Sequence, residues 1–80
     1  MTNSVAYYTN KIRFTERPVL LSELQRAPLK KRDYQFVLDI IEGYSYKELA
    51  FKYNKSESRI CKWKREIFTQ LHQYDIRRLS

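Results

Sequence analysis

Between residues 43 and 56 the chain reads Gly43-Tyr44-Ser45-Tyr46-Lys47-Glu48-Leu49-Ala50-Phe51-Lys52-Tyr53-Asn54-Lys55-Ser56, a passage that closes one helix, encloses a second and opens a third. The only glycine of the chain, Gly43, follows an apolar-periodic run. It suits the left-handed backbone of a helix end, which other residues take only at a steric cost. Ser45 with Glu48 three residues on is a capping box, and Leu49, Ala50 and Tyr53 supply the buried face of the helix it starts. Asn54 tolerates the left-handed conformation that ends that helix, and Ser56 is the N-cap of the next. Two helices joined by a turn of about three residues is the resulting expectation.

Outward from this passage, both flanks carry helical periodicity. Upstream, over Leu29–Glu42, residues Leu29, Tyr34, Val37, Leu38 and Ile41 form an apolar stripe, with Phe36 and Ile40 at its edge. Downstream, Ile60, Trp63, Ile67, Phe68, Leu71 and Tyr74 form one side of a long helix, with Ser58, Arg59, Lys62, Arg65, Glu66 and Thr69 largely on the other. Tyr34, Tyr53, Trp63 and Tyr74 fall on stripes that a small core needs, so they are expected in the core. The apolar C-terminal half of the long helix must pack on residues 5–24 or on a second copy of the chain. Residues 1–17 leave two readings open, since Tyr8 and Ile12 are spaced as in a helix while Ile12 and Phe14 alternate as in a strand. After Pro18, the run from Val19 to Leu24 suits a short helix or turn that ends before Pro28. The expected fold is all-α, a small bundle of four or five helices containing a helix-turn-helix. Its expected organisation is an N-terminal arm with a short helix over 1–28 and a helix-turn-helix domain over 29–80.

Composition narrows the function. Eighty residues support one core and no second domain. A hydrophobic fraction of 42% with seven Tyr, four Phe and one Trp is that of a folded domain rather than a disordered one. Cys61 is the sole cysteine, so no internal disulfide forms, and neither Cys61 nor His72 has companions at metal-ligand spacing. Cys61 reads as a small packing residue. His72, near the end of the long helix, complements the helix dipole when protonated. A single glycine rules out a glycine-rich phosphate loop, and no side-chain constellation for nucleophilic catalysis is present. The expectation is a non-enzyme with no cofactor and no metal. Lys11, Arg13, Glu16, Arg17, Glu23 and Arg26 break the apolar runs of residues 1–28 well short of about 18 residues, so neither a signal peptide nor a membrane anchor is expected there. A cytoplasmic setting follows as an expectation.

The formal charge is +7, which points to a polyanionic partner. It is concentrated: Lys52, Lys55, Arg59, Lys62, Lys64 and Arg65 stand against Glu57 alone, which places +5 of the +7 in fourteen residues. A helix with an uncovered basic face near its N-terminus, held by a preceding helix across a short turn, is the arrangement that enters a major groove of double-stranded DNA. Ser58, Arg59 and Lys62 are the candidates for base edges, and Arg59 suits a bidentate contact to guanine. Lys55, Lys64 and Arg65, with Lys30, Lys31 and Arg32 at the start of the preceding stripe, suit phosphates. So do the exposed amides at Ser45 and Ser56.

The stretch Leu29–Leu71 resembles the helix-turn-helix of bacterial sigma-factor region four and of LuxR-type regulators. The residues that carry the likeness are Arg32, Val37-Leu38, Gly43 through Ala50, Ser56, Arg59-Ile60, Ile67 and Leu71, at matching spacing without a gap. The resemblance implies binding of promoter or operator DNA through Glu57, Ser58, Arg59 and Lys62, and, in sigma factors, contact with RNA polymerase. Two positions depart from the pattern. Lys55 stands where a buried aliphatic residue is usual, which a lysine stem satisfies if its ammonium reaches outward, and Asn54 replaces the commoner glycine of the turn. The length suits a stand-alone transcriptional regulator of the kind carried by phages and mobile elements. The competing expectation is an adaptor that binds RNA polymerase or another regulator through the N-terminal arm and through Phe68, Leu71 and Tyr74. Homodimerisation would place DNA half-sites about one helical turn apart.

Overall fold

The structure, a computed structural model, describes residues 3–79. Met1 and Thr2 of the expected N-terminal segment, and Ser80 of the expected C-terminal domain, lie outside the described residues. Within them the chain is all-α: α1 (Ser4–Phe14), α2 (Arg17–Arg26), α3 (Lys31–Ile41), α4 (Tyr46–Tyr53) and α5 (Glu57–Leu79). The helix boundaries follow from the punctuation of the sequence. At the end of α3, Gly43 has φ 98°; its N–H bonds to the Ile40 carbonyl at 3.0 Å and that of Tyr44 bonds to the Asp39 carbonyl at 3.1 Å. This pair of bonds is a Schellman cap. Ser45 then accepts from the Glu48 amide at 3.1 Å while the Glu48 carboxylate accepts from the Ser45 amide at 3.0 Å, the complete capping box. Asn54 repeats the Schellman geometry at the end of α4 with φ 54°, its amide and that of Lys55 bonding to the Phe51 and Ala50 carbonyls. Ser56 caps α5 through the Arg59 amide at 3.2 Å.

The segment whose conformation the sequence left open is two helices. Asn3 caps α1 by accepting from the Val5 and Ala6 amides, and α2 carries Pro18 in its first turn, where a missing N–H costs nothing. Both helices join the same core as the rest: Tyr8, Leu20 and Leu24 pack with Phe36, Val37, Leu49, Ile60, Ile67, Phe68 and Leu71. Residues 3–28 thus pack into the bundle through Tyr8, Leu20 and Leu24. The apolar C-terminal half of α5 is covered within the chain, by α1, with the Tyr8 and Phe68 rings 5.1 Å apart.

A polar clasp reinforces that contact. Tyr7 donates to Asp75 at 3.0 Å, Lys11 bonds to Asp75 and lies 2.8 Å from Glu23, and Arg78 reaches Glu23 at 3.1 Å. His72 stacks on Tyr7 with ring centroids 4.0 Å apart and pairs with the Ser4 hydroxyl at 3.0 Å, so its ring is used in packing α1. Burial disfavours the charges of Lys11 and Glu23, but their mutual bonds and those to Asp75 and Arg78 prevail. The Lys11 ammonium is therefore held above its ordinary pKa and the Glu23 carboxyl below its own.

Two residues expected elsewhere are relocated by packing. Phe36, placed at the edge of its stripe by the sequence, is at the centre: it is fully buried, stacked on Trp63 at 3.9 Å and edge-on to Tyr53 at 5.7 Å. Tyr74 stands outside the core, half-buried, with its hydroxyl donating to the Arg26 carbonyl at 3.3 Å. Tyr34, Tyr53 and Trp63 are half-buried and pack against the core. Among the described residues no helix is long and apolar enough to cross a membrane.

Candidate nucleic-acid interface

The N-terminal half of α5 is held by two supports. From α4, Leu49 is fully buried against the core while Ala50, small and half-buried, lets the helices approach. From α3, Asp33 accepts the indole N–H of Trp63 at 2.9 Å. Asp39 ties the two supports together. Only 3% exposed, it accepts from Lys52 at 2.9 Å, from Tyr53, and from Gln35 at 3.1 Å. Burial by itself would raise the Asp39 pKa, but the hydrogen bonds from Tyr53, Lys52 and Gln35 outweigh it and keep the carboxyl below its ordinary value. Tyr53, desolvated and donating to that carboxylate, has its hydroxyl pushed upward.

With its inner face so fixed, α5 leaves Glu57, Ser58, Arg59, Lys62 and Arg65 exposed. Beside them lies a cleft of about 360 Å³ lined by Lys30, Arg32, Lys55, Arg59 and Lys62 with Asp33, Trp63 and Glu66. Five cations from α5, from the start of α3 and from the turn before α5 meet there. Of the two carboxylates, that of Asp33 is engaged by the indole. Trp63 forms the floor of the cationic arrangement, with the Arg32 guanidinium 5.1 Å and the Lys55 ammonium 5.8 Å from its ring centroid. Lys55 is half-buried and its head group reaches the cleft.

No known protein family, curated protein or solved structure matches the chain.

Not every expected phosphate contact converges on the cleft. Lys31 is exposed but lines a different depression with Leu24, Ala27, Leu29 and Tyr34. Lys64 is half-buried on the inner side of α5, its ammonium 3.0 Å from the Tyr46 hydroxyl and 5.4 Å from the Phe68 ring centroid. The helical turn places it beside Ile60, Ile67 and Phe68 rather than beside Lys62. The hydroxyls of Ser45 and Ser56 both accept from helix amides, so any contribution from these caps to an anion comes from backbone N–H groups. Sequence reasoning passed over Asp33 and the outward role of Trp63. Asp33 in the first turn of a helix reads as a dipole partner, and only the fold brings it to an indole thirty residues away. Phe68 and Leu71, which the adaptor reading needs as a docking surface, are buried at 0% and 3% exposure.

Proposed function

We propose that this chain is a sequence-specific DNA-binding protein that regulates transcription, inserting the first turns of α5 into the major groove. The observation that carries the reading is the convergence of Lys30, Arg32, Lys55, Arg59 and Lys62 on one cleft beside the exposed outer face of α5. Ser58, Arg59 and Lys62 reach base edges, with Glu57 available to accept from a cytosine amino group. Lys30, Arg32 and Lys55 follow one phosphate strand, with Arg65 contributing further along the helix and Lys31 from its own side. The resemblance to sigma region four and LuxR-type helix-turn-helix segments agrees with this orientation, and RNA polymerase contact remains the corollary in the sigma-like case. The intracellular setting such a role needs is part of the same proposal.

The test is fluorescence anisotropy of labelled duplex fragments at several salt concentrations. The logarithm of affinity should fall linearly with the logarithm of salt as the lysines and arginines release counterions. Arg59→Ala/Lys62→Ala should abolish preference among sequences while the far-ultraviolet circular dichroism stays native, because both side chains are exposed. Lys30→Ala should weaken all duplexes alike. Absence of binding to any duplex at low salt would overturn the proposal.

A further inference from the structure

On the outer face of α4, Phe51 serves neither the packing of the fold nor the DNA reading. Phe51 is 91% exposed, on the side of α4 opposite the buried Leu49. It belongs to an open depression of about 840 Å³ whose lining includes Tyr44, Lys47, Glu48, Phe51, Lys52 and Lys55. Tyr44 is 41% exposed. A solvent-facing phenyl ring adds nothing to helix stability that a polar residue would not, and it leaves apolar area in water.

The charges around the ring are of one free sign. Lys47 is exposed, and Lys55, whose ammonium lies 5.8 Å from the Trp63 ring centroid, lines both this depression and the cationic cleft. Lys52 pairs with Asp39 and lies 5.2 Å over the Tyr44 ring. The single carboxylate, Glu48, is engaged by the Ser45 amide in the capping box. We infer that this face docks an acidic segment of another protein, which lays one bulky apolar side chain against Phe51 and Tyr44 and sets its carboxylates on Lys47 and Lys55. Charge complementarity selects that occupant. A second copy related by a twofold axis would bring Lys47 and Lys55 against their own counterparts in chains of net charge +7. A duplex would satisfy the lysines but leave the phenyl ring against phosphate. An aromatic anchor ringed by cations matches the pattern by which acidic amphipathic helices are gripped. The inference shares Lys55 with the DNA reading but rests on Phe51 and Lys47, which the cationic cleft does not include.

A random library of displayed peptides, selected on the full chain and deselected on Phe51→Ala/Lys47→Glu, supplies the probe. Enriched peptides are synthesised and titrated by anisotropy. The expected peptides are net acidic with at least one large apolar residue. Their affinity should fall about tenfold or more on Phe51→Ala, the order expected for one buried aromatic, and comparably on Lys47→Glu. It should be unchanged by Arg59→Ala/Lys62→Ala. Both α4 positions are exposed, so circular dichroism should remain native. The inference is overturned if selection enriches no acidic peptide or if Phe51→Ala leaves affinity intact. It is equally overturned if Phe51→Ala instead dissolves a dimer in sedimentation, or weakens duplex binding as much as Arg59→Ala/Lys62→Ala does.

Discussion

Asp39 is a carboxylate in the middle of an apolar stripe, and three donors from two helices converge on it. Asp39→Asn removes the charge and replaces one of the two acceptor oxygens with an amide donor that faces the Lys52, Tyr53 and Gln35 donors, and is expected to lower stability by about 1–3 kcal/mol in urea denaturation at neutral pH. The sign of the pH dependence follows from its depressed pKa. The contribution is complete above the ordinary carboxyl value of about 3.9 and disappears as pH falls through the lower folded-state value. The gap between wild type and Asp39→Asn should therefore be widest near neutrality and close below about pH 4. Glu23, held low by Lys11 and Arg78, adds to the same acid limb. None of this was legible beforehand: an aspartate beside Leu38 and Ile40 reads as a polar-face residue, and its partners at positions 52 and 53 become neighbours only once α3 and α4 pack. Lys64 makes the converse point, a lysine in a basic run that the helical turn carries to the inner side.

At the level of helices, the punctuation residues set the stability of the interface. Ser45→Ala removes one arm of the capping box and is expected to cost about 1 kcal/mol, read from the urea midpoint. Asn54 sits in the left-handed region, so Asn54→Ala should cost about 1 kcal/mol while Asn54→Gly should be neutral or slightly stabilising. A loss of equal size in both variants would mean that the Asn54 side chain, rather than its backbone, matters. The three helices after residue 28 were legible because period and punctuation agree at the end of α3, at both ends of α4 and at the start of α5. α1 was not, and the reason is local. Phe14, which with Ile12 suggested a strand, is 81% exposed, and only Tyr8 of that helix is buried. An exposed aromatic thus imitated an alternating core pattern.

For the molecule as a whole, α5 is the common axis. Its 23 residues extend about 35 Å, close to the longest dimension of 37 Å; the N-terminal half carries the cationic face and the C-terminal half buries Ile67, Phe68 and Leu71 on the side that α1 covers. Deleting residues 1–15 should expose Phe68 and Leu71 and give a chain that aggregates or loses cooperative melting, as followed by light scattering and thermal circular dichroism. A folded, soluble monomer after that deletion would contradict the assigned role of α1. Sequence alone left this packing undecided between residues 5–24 and a second copy, because an apolar stripe specifies that it must be covered and not by what. The cleft was half legible: the basic run and the grouping of Lys30 and Arg32 with it are plain in one dimension, but the departure of Lys31 and Lys64 depends on helix angles.

The most direct test of the division of labour along α5 is a two-dimensional amide NMR titration of the full chain with a duplex chosen by in vitro selection. The largest shifts are expected at residues 57–66 and 30–32, with a Trp63 indole resonance that moves and little change at Tyr7, Lys11, His72 or Asp75. Shifts concentrated on the α1 clasp, with residues 57–66 unperturbed, would contradict that division of labour.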